Sequence, residues 1–238
     1  MIFLTRAVRR VLFEPALYRL GIFITTCVLS VGLLLNGLAL ALQFDAGHIM
    51  QYARNHHGER VAAHVADWLA LMENSAALPE RERLRAVNDF WNRRVRGGDD
   101  IHIWNKTDYW ATPLETLSQG AGDCEDFVIA KYFSLIRAGV DPQKLRFIYV
   151  RARVGTVGGG ETIAHMVLGY YPTPDAEPLL LDNLSSSIVA ASRRSDLTPV
   201  FSFNAQGIYV AGAATRSVDR IGHWRDLMAR MQQEGFTP

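Results

Sequence analysis

Apolar positions recur at helical spacing in several stretches of the chain. Val61, Val65, Trp68, Leu69 and Met72 mark one face of a helix from about Glu59 to Met72. A second set, Leu84, Val87, Trp91 and Val95, comes after Pro79, a residue suited to the first helical position, and Gly97 and Gly98 end it. Residues 101–119 are rich in aromatic and turn-forming residues. Cys124 then opens an amphipathic helix in which Phe127, Ile129, Ala130, Phe133 and Ile136 face a core, with Gly139 capping its end. Beyond it the period changes. Residues 145–154 (LRFIYVRARV) and 162–171 (TIAHMVLGYY) are β-rich, and the glycine-laden connection Gly155 to Gly160 reads as a join between two strands. Residues 178–182 (PLLLD) give a third short strand, and Pro199–Phe203 and Gly207–Val210 give two more. A last helix carries Val218, Ile221, Trp224, Leu227 and Met231. Helices first and an antiparallel sheet afterwards predict an α+β domain over residues 45–238.

One stretch obeys neither period. Residues 20–42 run without a charge, behind a short basic segment, residues 1–19, in which Arg6, Arg9, Arg10 and Arg19 oppose only Glu14. The arginine excess predicts a cytoplasmic N-terminus and export of the domain beyond residue 44. Two forms fit. Ala39-Leu40-Ala41 is an A-x-A pattern that would permit signal-peptide cleavage after Ala41. The length of the apolar run also matches the roughly 20 residues that span a bilayer, which would make it an uncleaved signal anchor. The remainder is ordinary for a globular domain. Apolar residues make up 49% of the 238, and 25 basic residues stand against 24 acidic ones. A balance so near zero argues against a nucleic-acid partner, which needs a basic stripe.

Candidate chemistry gathers at Cys124. The other cysteine, Cys27, lies in the apolar segment, so Cys124 has no disulfide partner in an exported domain and is flagged as a reactive thiol. A helix start favours its thiolate. His165 is a polar residue among Ile163, Met166, Val167 and Leu168, and Asp182 ends the next strand. Adjacent antiparallel strands would bring the two together, and a Cys, a His and an Asp would form a nucleophile, base and orienter. The acids Asp123, Glu125 and Asp126 work against this by raising the pKa of a nearby thiol. They also serve a helix's first turn well, and they are hard oxygen donors whose charge a Ca²⁺ ion would neutralise. His56 and His57, adjacent but without spaced partners, read as helix-face residues.

The string from Trp104 to Tyr132, with DYWATPLETL and GxGDCEDFVIAKY, followed by AHMVL and LDN, resembles the bacterial transglutaminase-like cysteine proteinases of the LapG type. The resemblance runs from about residue 60 to the C-terminus. It implies a papain/transglutaminase-like core with Cys124 as nucleophile, His165 as general base and Asp182 as its orienter. It implies Ca²⁺ as cofactor, with Asp123 and Glu125 matching acids implicated in binding it, and Asp126 and Asn183 as further contributors. The expected activity is a periplasmic, calcium-dependent endopeptidase. Its substrate would be the N-terminal region of a large surface adhesin, cut at a di-alanine site to disperse biofilm. An inner-membrane cyclic-di-GMP receptor would hold it in check, and residues 20–42, if retained, would tether it to that membrane. The Cys124 N–H, joined by Trp104 or Tyr109, is a candidate oxyanion donor. Two other activities share these residues: acyl transfer to an amine, as in a transglutaminase, and calcium-dependent recognition without catalysis.

Overall fold

The long strands form because their β-branched and aromatic residues suit a pleated surface buried on at least one side. The computed structural model describes residues 43–155, 160–205, 207–210 and 221–237. Strands β4 (Leu145–Val154) and β5 (Glu161–Tyr170) pair antiparallel over their full length, from Leu145↔Tyr170 to Val154↔Glu161. With β6 (Leu179–Leu181), β7 (Val189–Ala190), β8 (Leu197–Asn204) and β9 (Gly207–Tyr209) they make a six-stranded antiparallel sheet in the order β7-β6-β5-β4-β8-β9. Residues 156–159, the middle of the glycine-laden connection, lie outside the described residues, as do residues 20–42 and Val218. Among the described residues no helix is long and apolar enough to cross a membrane.

The helices precede the sheet, except the last. They are α1 (Ala46–His57), α2 (Glu59–Ala76), α3 (Glu80–Arg94), α4 (Asp100–Ile103), α5 (Pro113–Gln119), α6 (Cys124–Arg137) and α7 (Gly222–Glu234). Helix α2 buries Val61, Val65, Trp68 and Met72, and α3 buries Leu84, Val87 and Trp91, as the spacing predicts. Pro79 stands as the N-cap just ahead of α3. The helix ends because Val95 turns extended, and Gly97 then joins a parallel pairing of β2 (Arg96–Gly97) with β3 (Ala121–Gly122). That pairing fixes the backbone immediately before Cys124 to the end of α3.

Helix α6 differs from the amphipathic reading. Every residue from Asp126 to Leu135 is buried, because sheet and helices enclose it on all sides. Its Tyr132 and Phe133 join Phe147, Phe203 and Trp224 in an aromatic core. On its other flank the Ser134 hydroxyl accepts from the indoles of Trp68 (2.7 Å) and Trp91 (2.9 Å). Gly139, at φ +87°, takes the left-handed conformation just past the helix end. The sequence pattern does not reveal α1 or α5. The latter begins with a capping box, in which Thr112 Oγ1 accepts from the Glu115 N–H while the Glu115 carboxylate accepts from the Thr112 N–H. Strands β1 (Gln43–Phe44) and β10 (Phe236–Thr237) pair antiparallel.

Candidate active site and carboxylate cluster

Cys124 is the first residue of α6, and its N-cap is Asp123. Asp123 Oδ1 accepts from the backbone N–H groups of Glu125 (3.1 Å) and Asp126 (3.3 Å), while the Asp126 carboxylate reaches back to the Asp123 N–H. A helix leaves its first-turn N–H groups without intrahelical acceptors; this reciprocal cap takes those of Asp123, Glu125 and Asp126, and among the described residues the Cys124 N–H between them has no acceptor. The half-buried thiol donates to Glu125 Oε2 at 2.7 Å, and Glu125 Oε1 accepts from the Tyr149 hydroxyl at 3.1 Å. Burial, and then the Glu125 charge, push the thiol pKa well above its ordinary value, while a hydrogen bond from the Met166 backbone pulls the other way. The sulfur therefore touches β5 at the residue following His165.

His165 and Asp182 meet as the strand order requires. Both are buried, and His165 Nε2 lies 2.8 Å from Asp182 Oδ1. An ionised carboxylate only accepts, so Nε2 carries the proton and Nδ1 is left as the basic nitrogen. The same Oδ1 accepts from the Leu184 N–H at 3.0 Å, and the Asp182 backbone carbonyl accepts from Asn92 Nδ2 at 2.8 Å. Arg194 Nη1 donates to Oδ2 at 2.8 Å. Burial alone would raise the Asp182 pKa; the hydrogen bond and charge of His165, with Leu184 and Arg194, hold it down to about 2. Asp182 thus remains anionic and fixes the imidazole.

The acids divide into two groups. Asp123 and Asp126 converge with Asp100, at the start of α4, so that one carboxylate oxygen from each lies within 4.8 Å of the others. Sequence reasoning missed Asp100, which only the fold brings here; its hydrogen bond from the Tyr109 N–H closes the intervening loop. Glu125 turns instead to Cys124 and Tyr149, although its charge still raises the pKa of both Asp123 and Asp126. Asn183 follows Asp182, and its Oδ1 is buried without a partner among the described residues. Tyr109 commits its hydroxyl to Glu115 at 2.7 Å, and the Trp104 indole nitrogen is buried and unpaired among the described residues.

Three clustered carboxylates, two of them buried, need positive charge. Burial first, and with it the charges of neighbouring carboxylates, Glu125 among them in each case, raise the pKa of Asp100, Asp123 and Asp126 above the ordinary carboxylate range. Asp100 Oδ1 is buried with no hydrogen-bond partner among the described residues. An all-oxygen anionic cluster with an unpaired buried oxygen suits a hard divalent cation such as Ca²⁺.

Comparison with known proteins agrees with this geometry. The family model of bacterial transglutaminase-like cysteine proteinases (BTLCP) matches residues 46–196. Among solved structures, EGTA-treated Legionella pneumophila LapG is 36% identical with a TM-score of 0.70, over 80% of this chain and 99% of that one. Calcium-bound Legionella pneumophila LapG is 38% identical with a TM-score of 0.67, over 79% of this chain and 99% of that one. A search of curated proteins finds no match. The thiol at the tip of the central helix, the buried His–Asp pair on the sheet and these likenesses lead to one conclusion: the chain belongs to the bacterial transglutaminase-like cysteine proteinases, and it is a cysteine peptidase.

Proposed function

We propose that the chain is a periplasmic, calcium-dependent endopeptidase that works through a Cys124–His165–Asp182 triad. The observation that carries this is the buried His165–Asp182 hydrogen bond one residue from the strand position that contacts the Cys124 thiol. With Nε2 held by Asp182, Nδ1 takes the thiol proton and the thiolate attacks the scissile carbonyl. The imidazolium, stabilised by the anionic Asp182, then protonates the leaving amine. Water activated by the same nitrogen hydrolyses the thioester. The Cys124 N–H, aligned with the α6 dipole, supports the developing oxyanion.

Asp100, Asp123 and Asp126 would hold the calcium ion, which when bound supplies the positive charge that lets neighbouring carboxylates ionise together. The chain's own part is to keep that group beside the N-terminus of α6 through the Asp123 cap and the Asp126 bond to the Ala111 N–H at 2.8 Å. The substrate of this reading is the N-terminal region of a large surface adhesin with small residues at the cut, and the partner restraining the enzyme is an inner-membrane cyclic-di-GMP receptor. Export by residues 20–42 is the expected route to the periplasm.

Incubating the protein with adhesin N-terminal regions tests this. Cleavage that disappears in Cys124→Ala, His165→Ala and Asp182→Asn and on calcium depletion is expected. Cleavage that persists in Cys124→Ala refutes the assignment of the nucleophile.

A further inference from the structure

Asp182 is gripped by more than its histidine. Its side chain is fully buried, with Oδ1 taken by His165 and the Leu184 N–H and Oδ2 by Arg194. The Arg194 guanidinium is itself clamped by Asp196, which accepts from Nε at 2.9 Å and from Nη2 at 2.7 Å. Arg194 therefore spans two carboxylates, one buried and one partly exposed.

The fold explains how Arg194 arrives there. Strands β6 and β8 lie on opposite sides of the β5–β4 pair, so the chain between them must cross both. Ala191 and Leu197, which flank the crossing, pack on Ile148, Val150, Val167 and Leu180. His165 is the cross-strand partner of Val150, so it belongs to the same face of the sheet as this cluster. The crossing is anchored to β4 where the Asp196 carbonyl accepts from the Arg153 N–H at 2.9 Å. The segment acts as a strap over the His165–Asp182 pair, with Arg194 as its downward-pointing contact.

We propose that Arg194, clamped by Asp196, is a positioning residue that sets the rotation of the Asp182 carboxylate and through it the His165 ring. The inference rests on the proposed Cys124–His165–Asp182 triad. A carboxylate can turn about its Cβ–Cγ bond, but here a turn that releases His165 also breaks a buried, charge-assisted bond to Arg194. Arg194 alone would cancel the charge that supports the imidazolium. Asp196 restores it, since the three groups together carry one net negative charge. Arg194 thus supplies orientation and Asp196 preserves the field.

The test reads Cys124 directly and needs no substrate. The full chain with calcium in excess is alkylated by iodoacetamide, modification at Cys124 is located by peptide mass spectrometry, and imidazole nitrogen NMR reports the His165 tautomer. Arg194→Met is expected to slow alkylation on the order of tenfold to a hundredfold and to mix the tautomers. Arg194→Lys is expected to recover part of the rate, and Asp196→Asn to slow alkylation while keeping the Nε2–H tautomer. Wild-type rate and tautomer in Arg194→Met, with His165→Ala and Asp182→Asn both slow, overturn this inference alone. Unchanged rates in His165→Ala and Asp182→Asn overturn the triad reading beneath it. Should Arg194→Met fail to fold, Arg194→Lys decides: a rate several-fold below wild type supports the inference, and the wild-type rate overturns it.

Discussion

Replacing Lys131 with methionine should stabilise the protein in a strongly pH-dependent way. Lys131 lies on α6 two turns beyond Cys124, has no exposed surface, and its Nζ has no hydrogen-bond partner among the described residues. The nearest favourable contact described is the Phe127 ring, 5.7 Å from Nζ to centroid. Burial drags its pKa from the ordinary 10.5 down to about 7, against an upward pull from the Asp182 charge. The folded amine therefore sheds its proton at a pH where the unfolded one keeps it. Between about pH 7 and 10 the unfolded state binds more protons, so this residue's contribution makes stability rise with pH, by roughly 1.4 kcal/mol per unit. Methionine has similar volume and no charge to desolvate, and such replacements of buried charges are often stabilising. The expected gain is roughly 4 kcal/mol at pH 7 and about 3 kcal/mol at pH 8, fading to under about 1 kcal/mol by pH 10. Guanidinium unfolding followed by tryptophan fluorescence across that range measures it. A variant less stable than the wild type by a constant amount at every pH would refute the reasoning, because it would mean that the amine is paired and its packing matters more than its desolvation.

Ser134→Ala should cost about 2–4 kcal/mol in the same assay, since it strands the buried indole N–H groups of Trp68 and Trp91 together; a loss under about 0.5 kcal/mol would show that another acceptor replaces the hydroxyl. Gly122→Ala would place a Cβ 2.8 Å from the Asp126 Cβ and 2.9 Å from its Oδ2, so it should shrink the calcium-induced rise in melting temperature, and an undiminished rise would separate Asp126 from the cation. In the calcium-free protein, Asp123 and Asp126 have raised folded pKa values, so the stability they contribute is present below the ordinary carboxylate pKa near 4 and is lost as pH rises above it. Melting temperature without calcium should therefore fall between pH 5 and 8, and saturating calcium should remove most of that fall. A calcium-free melting temperature that rises over this range would contradict the burial and carboxylate repulsion that raise these pKa values.

The parts of the fold legible in sequence are those whose neighbours along the chain already carry the pattern. The β4–β5 pair and the inward faces of α2 and α3 follow from residue types alone. His165 and Asp182 could be matched because consecutive antiparallel strands are adjacent in space. Helix α1 shows little pattern because it buries only Ile49 and Ala53, and in α5 proline and aromatics mask the Thr112–Glu115 capping signature. Asp100 and Arg194 were not legible. Asp100 opens a one-turn helix and Arg194 sits in irregular chain, and each gains its meaning from a partner across the fold, Asp100 from Asp123 and Asp126, Arg194 from Asp182. Glu125 shows the converse: its neighbours converge on the carboxylate cluster while it bonds to the thiol beside it, a side-chain direction that spacing does not encode.

The continuous burial of α6 also bears on how the enzyme can be controlled. Amide hydrogens from Phe127 to Leu135 should exchange only through global unfolding, whereas those of the loop from Trp104 to Tyr109 should exchange through small local openings. The Cys124 thiol is thus mounted on an element that cannot retract without dismantling the domain. Regulation of such a thiol is left to its surroundings: the ionisation of its acidic neighbours, and any group that covers the approach to the sulfur.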